Sequence, residues 1–128
     1  MEINEITEMI IQAAIAVHRE LGPGLLESVY HRCLCIELKR MGVAFVSEEP
    51  VPVVFRGEEV SGAGFRADLI VEDCVIVELK SSASLTDLNK KQLLTYLKLS
   101  GKSIGLLINF NVIRLVDGLV RIANKYVA

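Results

Sequence analysis

The sequence predicts an α/β chain of the α+β kind, a mixed central sheet flanked by helices in the order ααβββαββ. Three observations carry that expectation. Apolar residues recur at helical spacing as far as Gly42, the period shortens to that of strands up to Lys80, and helical spacing returns from Ser84 to Gly101 before a second block of strands.

In order along the chain, "INEITEMIIQAAIAVHREL" puts Ile6, Ile10, Ala13, Val17 and Leu21 on one side of a helix, with Asn4 as its expected cap and Gly22-Pro23 as its stop. "GLLESVYHRCLCIELKRMG" repeats a helical pattern through Leu26, Val29, Cys33, Ile36 and Arg40, and Gly42 closes it. "VAFV", "VPVVF", "GFRADLIV" and "CVIVELK" are short, rich in β-branched or aromatic residues, and broken by Glu-Pro, Arg-Gly and Glu-Asp, as antiparallel strands are. "SLTDLNKKQLLTYLKLSG" is a third helix, with Ser84 and Asp87 as the expected capping box and Gly101 at its end. "SIGLLINF" is a fully apolar strand and "NVIRLVDGLVRIA" a hairpin around Asp117-Gly118. The "VELK" strand, the third helix and "GLLINF" make one crossover, which predicts parallel strands and a right-handed connection.

Composition narrows the function. With 128 residues, 52% of them hydrophobic, and a mean hydropathy of +0.44, residues 1–128 are expected to form a single domain with a real core. No apolar run approaches the roughly 18 residues of a membrane span, and acids stand where a signal peptide needs positive charge, so a cytoplasmic protein is expected. Cys33, Cys35 and Cys74 match neither a disulfide framework nor a zinc spacing and read as reduced, mostly buried residues. A net charge of −2 and a pI near 5.7 leave no global basic footprint. Local basic clusters remain at Lys39-Arg40, Lys90-Lys91 and Lys98 to Lys102, which as isolated features read as solvated helix faces.

The stretch "FRADLIVEDCVIVELK" places Asp68, Glu78 and Lys80 inside runs that otherwise favour burial. Strand alternation sets Glu78 and Lys80 on one face and Val77 and Leu79 on the other. A turn over Glu72 to Cys74 pairs Val71 with Val75 and brings Asp68 directly opposite Glu78, with Cβ atoms about 5 Å apart. Two acids so placed repel unless a cation sits between them. A hard divalent ion such as Mg²⁺ meets that need, and so does a plain salt bridge from Lys80; spacing alone leaves both open.

Acid, a strand's length, then "VELK" resembles the D…E-x-K signature of the PD-(D/E)xK nuclease superfamily. "GPGLLESVYHRCL" resembles the motif of the GxxExxY proteins, with Gly24, Glu27 and Tyr30 at the named positions, and "AAIAVHRELGPGLLESVY", "FRADLIVED", "VIVELK", "KQLLTYLKLSG" and "GLLINF" resemble that family in order and spacing. The resemblance implies a restriction-endonuclease-like core, Asp68 and Glu78 as metal ligands with the Leu79 carbonyl as a further one, and Lys80 as the catalytic lysine. It implies Glu27 as the helix acid that completes the site, and Gln92 and Tyr96 as a Q-x-x-x-Y element on the third helix. Mg²⁺, with Mn²⁺ as a substitute, is the implied cofactor, and nucleic acid, DNA ahead of RNA, the implied substrate. The implied activity is metal-dependent phosphodiester hydrolysis; a chain of this size is expected to carry no separate recognition domain, so a specific restriction enzyme is not expected without a homodimer or a partner to grip the duplex. Asn89 stands where the family pattern has a histidine, and His18 matches the pattern while reading as a helix-end residue that satisfies carbonyls. Two other readings remain, a non-catalytic module that binds nucleic acid or protein, and a hydrolase of small phosphoesters.

Overall fold

The computed structural model describes residues 1–60 and 65–125. Helices α1 (Ile3–Leu21) and α2 (Glu27–Arg40) precede strand β1 (Phe45–Val51), a two-residue pair β2 (Val54–Phe55) and β3 (Glu58–Glu59), and strands β4 (Phe65–Val71) and β5 (Val75–Lys80). Helix α3 (Asp87–Ser100), strand β6 (Ile104–Asn109), a 3₁₀ turn over Leu115–Gly118 and strand β7 (Leu119–Ala123) follow. The five-stranded sheet runs β1-β4-β5-β6-β7, so the expected order ααβββαββ holds for it, with β2 and β3 forming a separate ribbon. β5 and β6 are parallel on either side of α3, and the other neighbouring pairs are antiparallel. Among the described residues no helix is long and apolar enough to cross a membrane.

Helices cover both faces. Tyr30, Leu34 and Leu38 of α2 and Ile6, Ile10 and Ala13 of α1 bury against Leu69, Val77, Leu79, Leu106 and Ile108. On the opposite face Leu93 and Leu97 of α3 pack on Ile70, Ile76 and Leu107. Val77 and Leu79 therefore point to the α1/α2 side, and alternation sends Glu78 and Lys80 to the α3 side.

Several local expectations are corrected. Asn4 does not cap α1: Glu2 holds the cap position, and the Asn4 carboxamide instead accepts from Arg121 at 2.8 Å. The buried stripe of α2 is Tyr30, Leu34 and Leu38, whereas Leu26 and Ile36 of the expected stripe are 74% and 59% exposed. Both stripes fit a 3.6-residue period; the choice falls to Tyr30, whose ring stacks on Phe110 with centroids 4.5 Å apart. Glu48-Glu49-Pro50 does not break the first strand, because β1 lies at the sheet edge, where a proline N–H is not missed. The capping box is Thr86 with Asn89, not Ser84 with Asp87, since α3 begins at Asp87. No strand precedes Asp117-Gly118: residues 111–114 bend away and β7 pairs directly with β6. Gly118 sits so close to the Asn109 carbonyl that a Cβ there would fall 2.1 Å from its oxygen. The three cysteines are free and half-buried rather than mostly buried.

Candidate functional site

The β4–β5 turn uses Glu72 and Asp73 at positive φ (both 52°), and the Cys74 N–H donates to the Val71 carbonyl at 3.0 Å. The ladder that follows pairs Val71 with Val75, Ile70 with Ile76 and Leu69 with Val77, the expected register, and it brings Asp68 level with Glu78. There the ladder stops and side chains take over. The Leu79 N–H donates to Asp68 Oδ2 at 2.8 Å, and the Asp68 N–H donates to Glu78 Oε1 at 3.3 Å.

The β1 edge of β4 is interrupted at the same level. Ser47 pairs with Leu69 and Glu49 with Ala67, but Glu48 between them has φ 54° and leaves the ladder opposite Asp68. Arg66 holds the displaced segment by donating to the Glu48 carbonyl at 3.3 Å. The sheet thus opens around Asp68 on both edges, which leaves room for groups that a continuous ladder would exclude.

Charge concentrates in this opening. Burial, and then the neighbouring Asp68 carboxylate, push the Glu78 carboxyl up to about 8, with Lys80 pulling weakly the other way. Lys80 lies close enough to act on both Glu78 and Glu27, yet among the described residues it forms no ion pair with any acid. The salt-bridge alternative for Asp68, Glu78 and Lys80 is therefore not what the geometry contains.

Glu27 opens α2, after a loop shaped by the glycine motif. Gly24 has φ 96°, a conformation costly for any side chain. The buried Tyr30 hydroxyl donates to the Gly22 carbonyl at 2.6 Å and accepts from the Leu25 N–H at 3.1 Å. Glu27 itself is exposed, and its carboxyl is raised by burial first and by Asp68 second, with Lys80 and His31 opposing. It is within electrostatic reach of the acid pair without joining it; among the described residues no three His, Cys, Asp or Glu side chains group closely enough to hold a metal ion.

On α3, Tyr96 stacks on Phe65 with centroids 3.4 Å apart, and its hydroxyl is raised by burial first, then by Glu78 and Asp68. Gln92, one turn earlier, is exposed and makes no hydrogen bond among the described residues. Asn89 is occupied in the capping box, its Oδ1 accepting from the Thr86 N–H at 3.0 Å. His18 is buried and meets the Val112 carbonyl at 2.8 Å, a carbonyl from a distant loop rather than from its own helix end. Phe65 was not among the expected site residues; it stands three residues before Asp68, and an aromatic on the acid's own strand was the available signal.

Two carboxylates and, on the Asp68 edge of β5, the Leu79 carbonyl are hard oxygen donors. The carbonyl shares that edge with the Leu79 N–H, since both groups of a strand residue project the same way. This donor set fits a hard divalent cation that keeps part of its water shell.

A mixed sheet covered on both faces, with an acid pair and an unpaired lysine on two neighbouring strands, defines an α+β domain of the restriction-endonuclease type. The chain belongs to the PD-(D/E)XK nuclease superfamily, whose family model matches residues 4–122. Nucleases of this superfamily generally use divalent metals. No curated protein and no solved structure matches the chain.

Proposed function

We propose that this protein is a metal-dependent nuclease that hydrolyses phosphodiester bonds of nucleic acid, with Mg²⁺ as the ion and DNA ahead of RNA as substrate. The observation that carries the reading is the Asp68–Glu78 pair. Its two acids share one opening in the sheet, crowded enough to push Glu78 up to about 8, while the adjacent lysine is tied to neither. Such a pair is costly unless a cation occupies it.

Asp68, Glu78 and the Leu79 carbonyl would hold the ion. When bound, it supplies Lewis-acid polarisation of the phosphoryl group and a lowered pKa for water. Lys80, on the Glu78 face, orients the attacking water and meets the charge developing on the phosphoryl oxygens. Glu27, exposed at the start of α2 and within electrostatic reach of Asp68 and Lys80, would balance part of the positive charge of Lys80. Tyr96, held flat by Phe65, and Gln92 line the α3 side where substrate would lie, beside Lys90 and Lys91 of the same helix.

Cleavage assays on single-stranded, duplex and branched DNA and on RNA, with Mg²⁺, Mn²⁺ or EDTA, test this directly. Cleavage of DNA that requires the divalent ion and is lost in Lys80→Ala is the expected result. Nucleic-acid binding without cleavage of any substrate would leave a non-catalytic module as the better account, and release of phosphate from small esters alone would indicate the third reading.

A further inference from the structure

The candidate site is assembled from two pieces that no strand pairing joins: Lys80 at the end of β5 and Glu27 at the start of α2. Among the described residues, one side-chain hydrogen bond spans the gap between them. Ser81, the residue after Lys80, donates its hydroxyl to the Leu25 carbonyl, two residues before Glu27, at 2.6 Å. Each end of this bond is itself held. Leu25 is fixed by its N–H bond to the buried Tyr30 hydroxyl, which also grips Gly22. The strand end is fixed by β6: the Phe110 N–H donates to the Lys80 carbonyl at 3.0 Å. The buried Asn109 carboxamide accepts from the Ser82 N–H at 3.1 Å and donates to the Ser82 carbonyl at 3.0 Å.

We propose that Ser81 is a positioning residue, whose hydroxyl sets the placement of Glu27 against Lys80 through the Leu25 carbonyl; this rests on the hydrolytic reading above. The physical case is that apolar packing of Tyr30 and Leu34 already holds the body of α2 on β5, while the polar tie between the Leu25–Glu27 turn and the residue after Lys80 is the exposed Ser81–Leu25 bond. Losing it leaves the packed body of α2 in place but loosens the Leu25–Glu27 turn that precedes Tyr30 against the end of the lysine strand. Because a small misplacement of a charged group weakens its action on the reacting centre, the effect falls on turnover more than on substrate binding.

Ser81→Ala and Ser81→Thr are compared with wild type in the full chain, alone and with Glu27→Gln. Ser81→Ala is expected to lower kcat by about tenfold with KM changed less than about twofold, and Ser81→Thr to restore it. In the Glu27→Gln background the same alanine substitution is expected to cost less than about twofold, because the group it positions is already gone. Hydrogen exchange supplies a readout without activity: the Leu25 amide is expected to exchange faster in Ser81→Ala, while amides of β5 and β6 keep wild-type protection. Full kcat in Ser81→Ala, or losses that simply multiply with Glu27→Gln, overturns the positioning role. If Lys80→Ala is inactive and Ser81→Ala fully active, only this inference fails; absence of divalent-dependent cleavage in wild type removes both.

Discussion

At the scale of single residues, Asp68, Glu78 and Lys80 are separable by experiment. Asp68→Asn keeps an acceptor for the Leu79 N–H, and Glu78→Gln keeps one for the Asp68 N–H, so both substitutions leave the backbone bonds of the opening intact. Each removes a charge that attracts a cation. Divalent binding measured by calorimetry is expected to weaken by well over tenfold in either variant, more than about 1.4 kcal/mol. Under the proposed reading Lys80→Ala is expected to behave differently, because it deletes a positive charge beside the acids: binding is expected to stay or tighten while hydrolysis falls by orders of magnitude. A structural triad would give the reverse, with Lys80→Ala destabilising the fold and no divalent ion bound by wild type at millimolar concentration. Strand alternation and the turn over Glu72 to Cys74 sufficed to place the two acids level with each other, whereas spacing alone left a metal site and a salt bridge both open. The roles of Tyr30 and His18 were not legible. Their partners, the Gly22 carbonyl for one and the Val112 carbonyl for the other, lie 8 and 94 residues away.

At the scale of elements, α3 carries Lys90, Lys91, Gln92 and Tyr96, and its first turn depends on the Thr86–Asn89 box. Thr86 Oγ1 accepts from the Asn89 N–H at 3.1 Å, and the reciprocal bond runs from the Thr86 N–H to Asn89 Oδ1. Thr86→Ala breaks one of the two and leaves a terminal N–H without its partner. Urea denaturation is expected to show a loss of about 1 kcal/mol, and unchanged stability would show that the box contributes nothing. The same box gives Asn89 its role in this structure: its side chain and N–H both serve the start of its own helix. The sequence pointed to a box in this region but placed it two residues early, because Ser84 with Asp87 and Thr86 with Asn89 both have the required spacing. Which hydroxyl caps is decided by where the chain leaving β5 turns into the helix, and that turn is held by Asn109 and Asn111, whose carboxamides both donate to the Ser82 carbonyl.

At the scale of the whole molecule, the acid pair makes stability depend on pH. The Glu78 carboxyl lies near 8 in the folded protein against 4.5 for an unperturbed one, so between those values the folded state holds a proton that the unfolded chain has released. Stability of the metal-free protein is therefore full below about pH 4.5 as far as Glu78 is concerned, and declines as pH rises toward 8. Glu27, raised in the same direction, adds to the slope just above its ordinary value. Thermal melts in EDTA are expected to fall across that window, Glu78→Gln to flatten the slope, and millimolar Mg²⁺ to restore the melting temperature more strongly at pH 8 than at pH 5, because fewer folded molecules then have a Glu78 proton to displace. A metal-free protein with the same melting temperature at pH 5 and pH 8 would show that the pair is not crowded. Holding Asp68 and Glu78 together against their repulsion falls to the surrounding apolar layers, Val77 and Leu79 on one face and Ile76 and Leu93 on the other.

The amino-acid order by itself determined the succession of elements, the parallel β5–β6 crossover, the register that sets Asp68 beside Glu78, and the glycines that end α1 and α3. All of these follow from local rules: side-chain period, turn residues, and the freedom of glycine at positive φ. Only the tertiary structure decided which stripe of α2 is buried, where the sheet opens, and that Glu27 comes within electrostatic reach of Lys80. The stripe was ambiguous because Leu26-Val29-Cys33-Ile36 and Tyr30-Leu34-Leu38 are both helical spacings, and the stack of Tyr30 on Phe110, 80 residues later, resolved it. The opening requires Glu48 to leave the ladder opposite Asp68, a pairing between segments 20 residues apart that no local pattern encodes. The link from Ser81 to Leu25 spans 56 residues and involves a backbone carbonyl, an acceptor that every residue carries, so nothing in the letters distinguishes the one the chain uses.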